Sequence, residues 1–236
     1  MNWKNLAVAL FGHDHGLQVS PEDGDFLHGT VVFDGEPITV IGTTNHAAIG
    51  VALALAQARV VLDTIAQHPG RTLLLLIDTQ GQQLRRRDEW LGINRAMAHL
   101  GASIDLARRL GHRVIGLVYD QALSGGFITS GLIADACYAL PHAEIRVMRI
   151  PAMARVTKLP EERLTALSKS NPVFAPGVQN YVAMGGVRAL WQGDLPAALR
   201  DALAHAPTED LRAQDGAERG GRRLAADVVQ RVLAAD

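Results

Sequence analysis

The chain has almost no sulfur chemistry to offer. Its single cysteine, Cys137, cannot form an intramolecular disulfide, which fits a reducing compartment. Aromatic residues are scarce at 5%, so a chain that is 48% hydrophobic must build its core from Ala, Val, Leu and Ile. Neither sign of charge is in excess. The formal net charge of -1 leaves no electrostatic footprint for nucleic acid. No apolar run approaches the roughly 18 to 20 residues that span a bilayer. A secretory leader is not expected either, because Asp14, Glu22, Asp23 and Asp25 come early. Repeats at solenoid spacing and low-complexity linkers are missing, as are a metal-ligand cluster and a catalytic triad. These absences predict a cytoplasmic protein of one domain over residues 1–236, with no membrane and no nucleic acid among its partners.

The most informative stretch that is present runs over residues 114–135, VIGLVYDQALSGGFITSGLIAD. The apolar run 114–119 predicts a buried strand, and 120–123 a short turn. Ser124, Gly125 and Gly126 then open a buried helix over 127–134. A helix start has unpaired N–H groups and a partial positive charge. Glycines there let a ligand reach the backbone, so the pattern suits an anion or a developing oxyanion. The same design occurs once before. Residues 72–77, TLLLLI, read as a buried parallel strand and lead into Asp78-Thr79-Gln80-Gly81. Ligands of open α/β proteins sit beyond the C-terminal ends of the strands, so the two glycine turns are expected to converge.

The rest of the chain supports an α/β class. Residues 1–27 read as irregular. Strands at 30–33 and 38–41 flank a turn at 34–37, and a helix over 49–67 is stopped by His68-Pro69-Gly70. A solvated segment, Arg85-Arg86-Arg87-Asp88-Glu89, precedes a helix over 90–109. Short strands are expected at 136–139 and 144–150, with Pro151 as an interruption. Helices follow at 161–168, 178–183 and 195–206, then a polar loop at 207–221 and a closing helix at 222–235.

The ordered pair Asp78-Thr79-Gln80-Gly81 and Ser124-Gly125-Gly126, the second leading to Asp135, resembles the carboxyltransferase branch of the crotonase superfamily over residues 38–148. Within that branch the chain is similar to gamma subunits of biotin-independent malonate decarboxylases. The residues that carry this are SGGFITSG at 124–131, IPAMARVTK at 150–158 and NPVFAPGVQNYVAMGG at 171–186. Ordinary carboxyltransferases commonly have a Ser-Pro-Glu-type turn where this chain has Met148-Arg149-Ile150-Pro151, which favours the decarboxylase.

The resemblance implies a single crotonase-like (ClpP/crotonase) domain, a spiral of ββα units. It implies a complex that converts malonate to acetate and CO2. Malonate is carried on an acyl-carrier protein through a phosphopantetheine-type prosthetic group derived from dephospho-CoA. A beta subunit shares the active site with this chain, and an alpha subunit acts as acyl-carrier transferase. The chain itself is expected to bind no cofactor directly, with neither biotin nor metal in use.

Decarboxylating a malonyl thioester leaves an enolate with its charge on the thioester oxygen. Preorganised N–H donors lower that barrier, and losing one typically costs about 10²- to 10³-fold in rate. Gly125 and Gly126 are the catalytic candidates on these grounds. Thr79, Gln80, Gly81, Ser124, Arg155 and Lys158 are the substrate-binding candidates, with Gln80 and Gly81 as a second donor set. Asp78 and Thr79 suit helix capping equally well. In carboxyltransferases the partner subunit usually holds the thioester carbonyl, so the oxygen served by Gly125 and Gly126 stays open, as does the proton donor. His46 either lines the pocket or starts a helix. His13 and His15 read as a solvent-facing turn rather than a zinc site, and Cys137 as a small buried apolar residue. Arg85, Arg86 and Arg87 are either solvated or meet the carrier. The partner is expected to dock near residues 178–190 and the Gly125 helix. Two other functions remain open: a subunit of a biotin-dependent acyl-CoA carboxyltransferase, and a non-catalytic scaffold that completes a partner's site.

Overall fold

In the computed structural model, residues 1–169, 177–221 and 224–235 are described. The chain opens with helix α1 (Trp3–Phe11), whose first turn is capped by Asn2: its side chain accepts a hydrogen bond from Asn5 N at 2.9 Å. The expected irregular segment 1–27 is therefore corrected. Its helix buries only Leu6, Ala7 and Leu10, too narrow a stripe to stand out by periodicity. After β1 (Gln18–Val19), strands β2 (Phe26–Phe33) and β3 (Glu36–Thr43) form an antiparallel hairpin. Asp34 (φ 51°) and Gly35 (φ 87°) are both left-handed, as a two-residue type I′ turn requires. The turn is thus tighter than 34–37, and Pro37 pairs with Val32.

Next come β4 (Ala47–Ile49), α2 (Val51–Gln67), β5 (Leu73–Gln82), α3 (Arg86–Trp90) and α4 (Ile93–Arg109). Gly92, at φ 77°, separates the last two, so the solvated segment and the helix expected at 90–109 are two helices with a break at Leu91 and Gly92. Then follow β6 (Val114–Leu123) and α5 (Ser124–Phe127), which runs on as a π-helical turn, Ile128–Leu132. The chain continues through β7 (Ala136–Ala139), β8 (Glu144–Arg146), α6 (Ile150–Thr157), α7 (Glu161–Ser168) and α8 (Val178–Ala183). It ends with β9 (Ala189–Leu190), α9 (Leu195–His205), α10 (Arg212–Glu218) and α11 (Ala225–Leu233).

The sheet runs β1-β2-β3-β5-β6-β7-β9 and is parallel from β3 onward. Its central strands are apolar on both faces because both are covered. Leu73, Leu75 and Ile77 pack with Leu53, Ala54 and Val61 of α2 and Leu100 and Ile104 of α4. Leu74 and Leu76 pack with Leu6 and Leu10 of α1 and Leu195 and Leu199 of α9. That explains the unbroken LLLLI run. Short strands lie beside the ends of long ones: β4 pairs Thr79 to Gln82, and β8 pairs Gln121 to Leu123. Strand, short strand and helix recur along the chain, the ββα spiral implied by the resemblance.

Those short strands also correct the two expected turns. Residues 78–81 and 120–123 are extended, because β4 and β8 supply backbone partners beyond the central ladder. The strand expected at 144–150 stops at Arg146, and Pro151 sits in the first turn of α6, where it forfeits no helical hydrogen bond. The polar loop at 207–221 contains α10, tied down by Arg212 Nη1 donating to Leu132 O at 2.6 Å and by Asp215 between Arg188 and Arg219. Residues 171–176 and 222–223, parts of two expected segments, lie outside the described residues. Among the described residues no helix is long and apolar enough to cross a membrane.

Candidate active site

The two glycine motifs meet where the ends of β5 and β6 run side by side. Gly81 is at φ 106°, and a methyl group on it would lie 3.0 Å from the Ser124 Cβ. A methyl group on Gly126 would lie 2.8 Å from the Cα and the carbonyl carbon of Gly81. The helix start is therefore packed backbone to backbone on the strand end, and the two motifs are neighbours. Gly125 differs from its neighbour. It is half-buried, and a methyl group there would meet only Gln82 Oε1, at 3.1 Å, the far end of a flexible side chain.

Ser124 turns the strand into the helix at φ 54°, a conformation few non-glycine residues adopt. Its hydroxyl donates to Gln82 Oε1 at 3.3 Å. Among the described residues no side chain caps the start of α5, and none accepts from the first-turn N–H groups of Gly125 and Gly126. The following turn is held by hydroxyls: Thr129 Oγ1 donates to Gly125 O at 3.1 Å, and Ser130 Oγ to Gly126 O at 2.6 Å.

The other sequence candidates are placed less evenly. Thr79 is fully buried; its hydroxyl donates to Ala47 O at 2.6 Å and accepts from Gly81 N at 3.0 Å. Thr79 thus holds β4 to β5, and the Gly81 N–H is occupied, so neither presents a donor to a ligand. The cause is the register shift between Ala47 and Ala48, which leaves a side chain to bond where the ladder is irregular. Gln80 is exposed beside them. Arg155 lies on α6 and Lys158 at its left-handed C-cap, φ 60°. Both are exposed, α6 packs chiefly on α7, and no hydrogen bond or ion pair of the described residues ties either to the glycine pair.

The structure adds a cluster that the sequence offered only as an ambiguous histidine. Asp78 is 3% exposed. Its Oδ2 accepts from His46 N at 2.9 Å and its Oδ1 from Gln121 N at 3.3 Å. The His46 ring returns to the same carboxylate, with Nε2 3.6 Å from Asp78 Oδ1 and 3.7 Å from Asp120 Oδ2. Asn45 (φ 57°) and His46 (φ 52°) are both left-handed, a costly pair of conformations that places this ring. Burial pushes the Asp78 carboxyl above its ordinary value, against the pull of His46 and the backbone donors. Tyr119 closes the floor, donating its hydroxyl to Thr43 O at 2.8 Å, and burial pushes that hydroxyl up as well. Potential ligand atoms of His46, Asp78 and Asp120 lie within 4.8 Å of one another. Both Asp78 oxygens are already bound by backbone N–H groups, so the set is built around the imidazole rather than preformed for an ion. The signal in sequence was Asn45, a residue tolerant of left-handed geometry, between a strand end and His46.

His15 and Cys137 take structural roles. His15 Nδ1 accepts from Leu17 N at 3.0 Å, and its ring meets Trp3 edge-on, which suits a turn. Cys137 is buried, and burial pushes its thiol up to about 12, so the thiol is inert as expected. Arg85, Arg86 and Arg87 are exposed, and Arg86 stacks over Trp90 at 4.4 Å. Arg85 and Arg87 border a groove of about 300 Å³ with Gly50, Val51 and Asp88, and Asp88 Oδ1 caps α2 by accepting from Val51 N at 2.9 Å.

Comparisons with known proteins converge. The family model described as malonate decarboxylase gamma subunit matches residues 44–236. A curated relative, the malonyl-S-ACP:biotin-protein carboxyltransferase MADD of Malonomonas rubra, is 37% identical over 123 residues. That match covers 51% of this chain and 42% of MADD, less than half of the relative's length. A Pseudomonas malonate decarboxylase hetero-tetramer solved with coenzyme A superposes with a TM-score of 0.79 at 26% identity, over 97% of this chain and 96% of that one. The Pseudomonas malonate decarboxylase MdcD–MdcE hetero-dimer does so with a TM-score of 0.77 at 25% identity, over 98% and 96%.

Proposed function

The chain belongs to the malonate decarboxylase gamma-subunit family, and from that premise we propose that it acts with a beta subunit on a malonyl thioester of an acyl-carrier protein, releasing CO2 and leaving the acetyl thioester. The fold is the crotonase type of its solved relatives, and those relatives are hetero-oligomers, which supports a site completed by a partner. The observation that carries the reading is Gly125: a half-buried first-turn backbone donor with no side-chain cap among the described residues, held beside the tight seat of Gly126 on Gly81. When the C–C bond breaks, charge moves onto an oxygen, and a donor fixed before the reaction stabilises it without reorganising.

The carrier's phosphopantetheine-type group, derived from dephospho-CoA, would bring malonyl to this point after an alpha subunit has acted as acyl-carrier transferase. Neither biotin nor a metal is needed for the step. Arg155 and Lys158, exposed and unpaired among the described residues, are available to the anionic arm or the departing carboxylate.

A second reading has one observation in its favour. The curated relative is named as a carboxyltransferase to a biotin protein. Both readings share the enolate and differ in where the carboxyl group goes. Incubating malonyl-loaded carrier with this chain and its beta partner in biotin-free buffer separates them. CO2 release supports the decarboxylase. No release, with carboxyl transfer once a biotinylated carrier is added, supports the other.

A further inference from the structure

We propose that the exposed arginine patch of α3 and the start of α4 docks the acyl carrier, an inference that rests on the decarboxylase reading above. The carrier meets it with a negatively charged face around its thioester arm. Residues 84–95 read LRRRDEWLGINR. Arg85, Arg86, Arg87 and Arg95 are exposed, and none has an ion-pair partner among the described residues. Arg108, Arg188, Arg200 and Arg212, by contrast, each meet a carboxylate. Two large apolar side chains stand among the free cations: Trp90 is 74% exposed and Leu91 57%. The Arg86 guanidinium lies over the Trp90 ring at 4.4 Å. A methyl group on Gly92 would meet Arg95 Cδ at 3.7 Å, so the Arg95 stem lies beside the break that follows Trp90 and Leu91. Leu91, Arg85 and Arg87 share the rim of the groove of about 300 Å³.

The acids nearby are mostly engaged elsewhere. Asp88 is buried and caps α2. Asp23 and Asp25 line the same groove but bond within their own turn: Asp23 Oδ1 accepts from Asp25 N at 3.3 Å, and Asp25 Oδ1 from Asn45 Nδ2 at 3.2 Å. Glu89 is the exposed acid of residues 84–95, against four arginines.

This mixture selects the kind of partner. Trp and Arg are the side chains that most often carry binding energy in protein interfaces. A permanent subunit interface is large and apolar, with charge depleted at its centre. Four free guanidinium groups around two apolar side chains instead suit a partner that arrives by electrostatic steering and leaves after each turnover. In the decarboxylase reading that partner is the carrier, which must deliver a malonyl thioester and remove an acetyl one. Its phosphopantetheine-type arm is rooted in a phosphodiester, which puts negative charge at the centre of its docking face.

The position fits as well. Gln82 and Gln83 are consecutive at the end of β5. The Gln82 side chain accepts from Ser124 Oγ at 3.3 Å and is what a methyl group on Gly125 would meet. The Gln83 side chain lines the groove, and the Arg85 guanidinium lies against its amide. One strand end thus joins the patch to the glycine pair, and a carrier seated on the patch has its arm rooted beside that strand end.

The test uses this chain assembled with its beta subunit and bearing Arg86→Glu together with Arg95→Glu. It reads binding of fluorescently labelled acetyl-loaded carrier by anisotropy, and CO2 release against the concentration of malonyl-loaded carrier. The dissociation constant and KM are expected to rise by about tenfold or more, with kcat at saturating carrier retained. Added salt weakens wild-type binding more than that of the variant. Arg163→Glu, a charge reversal at an exposed position of α7, leaves both constants unchanged. Unchanged carrier binding overturns the assignment, as does a fall in kcat with KM unmoved. A folded variant that no longer assembles overturns it too, because the patch is then the seat of the beta subunit. Should the reversed pair fail to fold, Arg86→Gln with Arg95→Gln decides by the same readouts. A wild-type complex that binds the carrier but releases no CO2 sinks the decarboxylase reading, while the binding measurement still decides the docking.

Discussion

Gly125 and Gly126 are adjacent, yet a side chain on each would meet different surroundings. Gly126 is closed in by the Gly81 backbone, so Gly126→Ala overpacks a rigid contact. A loss of about 1–3 kcal/mol is expected, checked by denaturant unfolding of the isolated chain. Thr79→Val removes a hydroxyl that serves both Ala47 O and Gly81 N. Leaving those groups unpaired costs about 1–3 kcal/mol, read in the same experiment, and unchanged stability would contradict the bracing role. Asp78 predicts a pH dependence. Its value in the fold is raised above the ordinary 3.8, so between the two the folded chain binds more protons than the unfolded one. This group's contribution to stability is therefore full below 3.8 and declines as pH rises through its raised value. Unfolding titrations of Asp78→Asn should lack that decline. Sequence showed which residues carry the motifs, but not which were already used: Thr79 and Gly81 looked available, and only the register shift at β4 shows them bonded to each other. His46 was ambiguous for the same reason, since the carboxylates that hold it come from strands 32 and 74 residues away.

The apolar strands were legible in the chain because burial on both faces leaves no polar alternation to confuse them. Helices α2, α4 and α9 carry broad apolar faces and were equally plain. What escaped were short elements whose existence depends on a neighbour. Strand β4 exists because the end of β5 lies beside it, and β8 because of β6, so 78–81 and 120–123 read as turns in isolation. Helix α1 hides behind three buried residues, and α10 depends on Arg212 reaching Leu132. Helix α2 shows a similar dependence at its start: Gly50 offers no side chain, and Asp88 supplies the cap from α3. Asp88→Ala should cost about 0.5–2 kcal/mol in unfolding free energy, with amide exchange rising first in the opening turn of α2. No change in either would show that the cap is unimportant there.

At the scale of the whole molecule, the ββα spiral brings three strand ends, three glycines and one clamped histidine to one edge. It leaves Gly125 half-buried in the chain by itself. The solved relatives are hetero-dimers and hetero-tetramers, so the account expects no CO2 release from this chain alone and release once the beta subunit is added. The most direct measurement is turnover of malonyl-loaded carrier by the assembled pair bearing Gly125→Val, where the Cβ comes within 3.1 Å of the flexible end of Gln82 and the branched side chain crowds the backbone donor of the same residue. The account predicts an assembled pair whose rate falls by about 10²- to 10³-fold. Wild-type turnover from that pair would contradict it and leave this chain as a scaffold for a site on its partner.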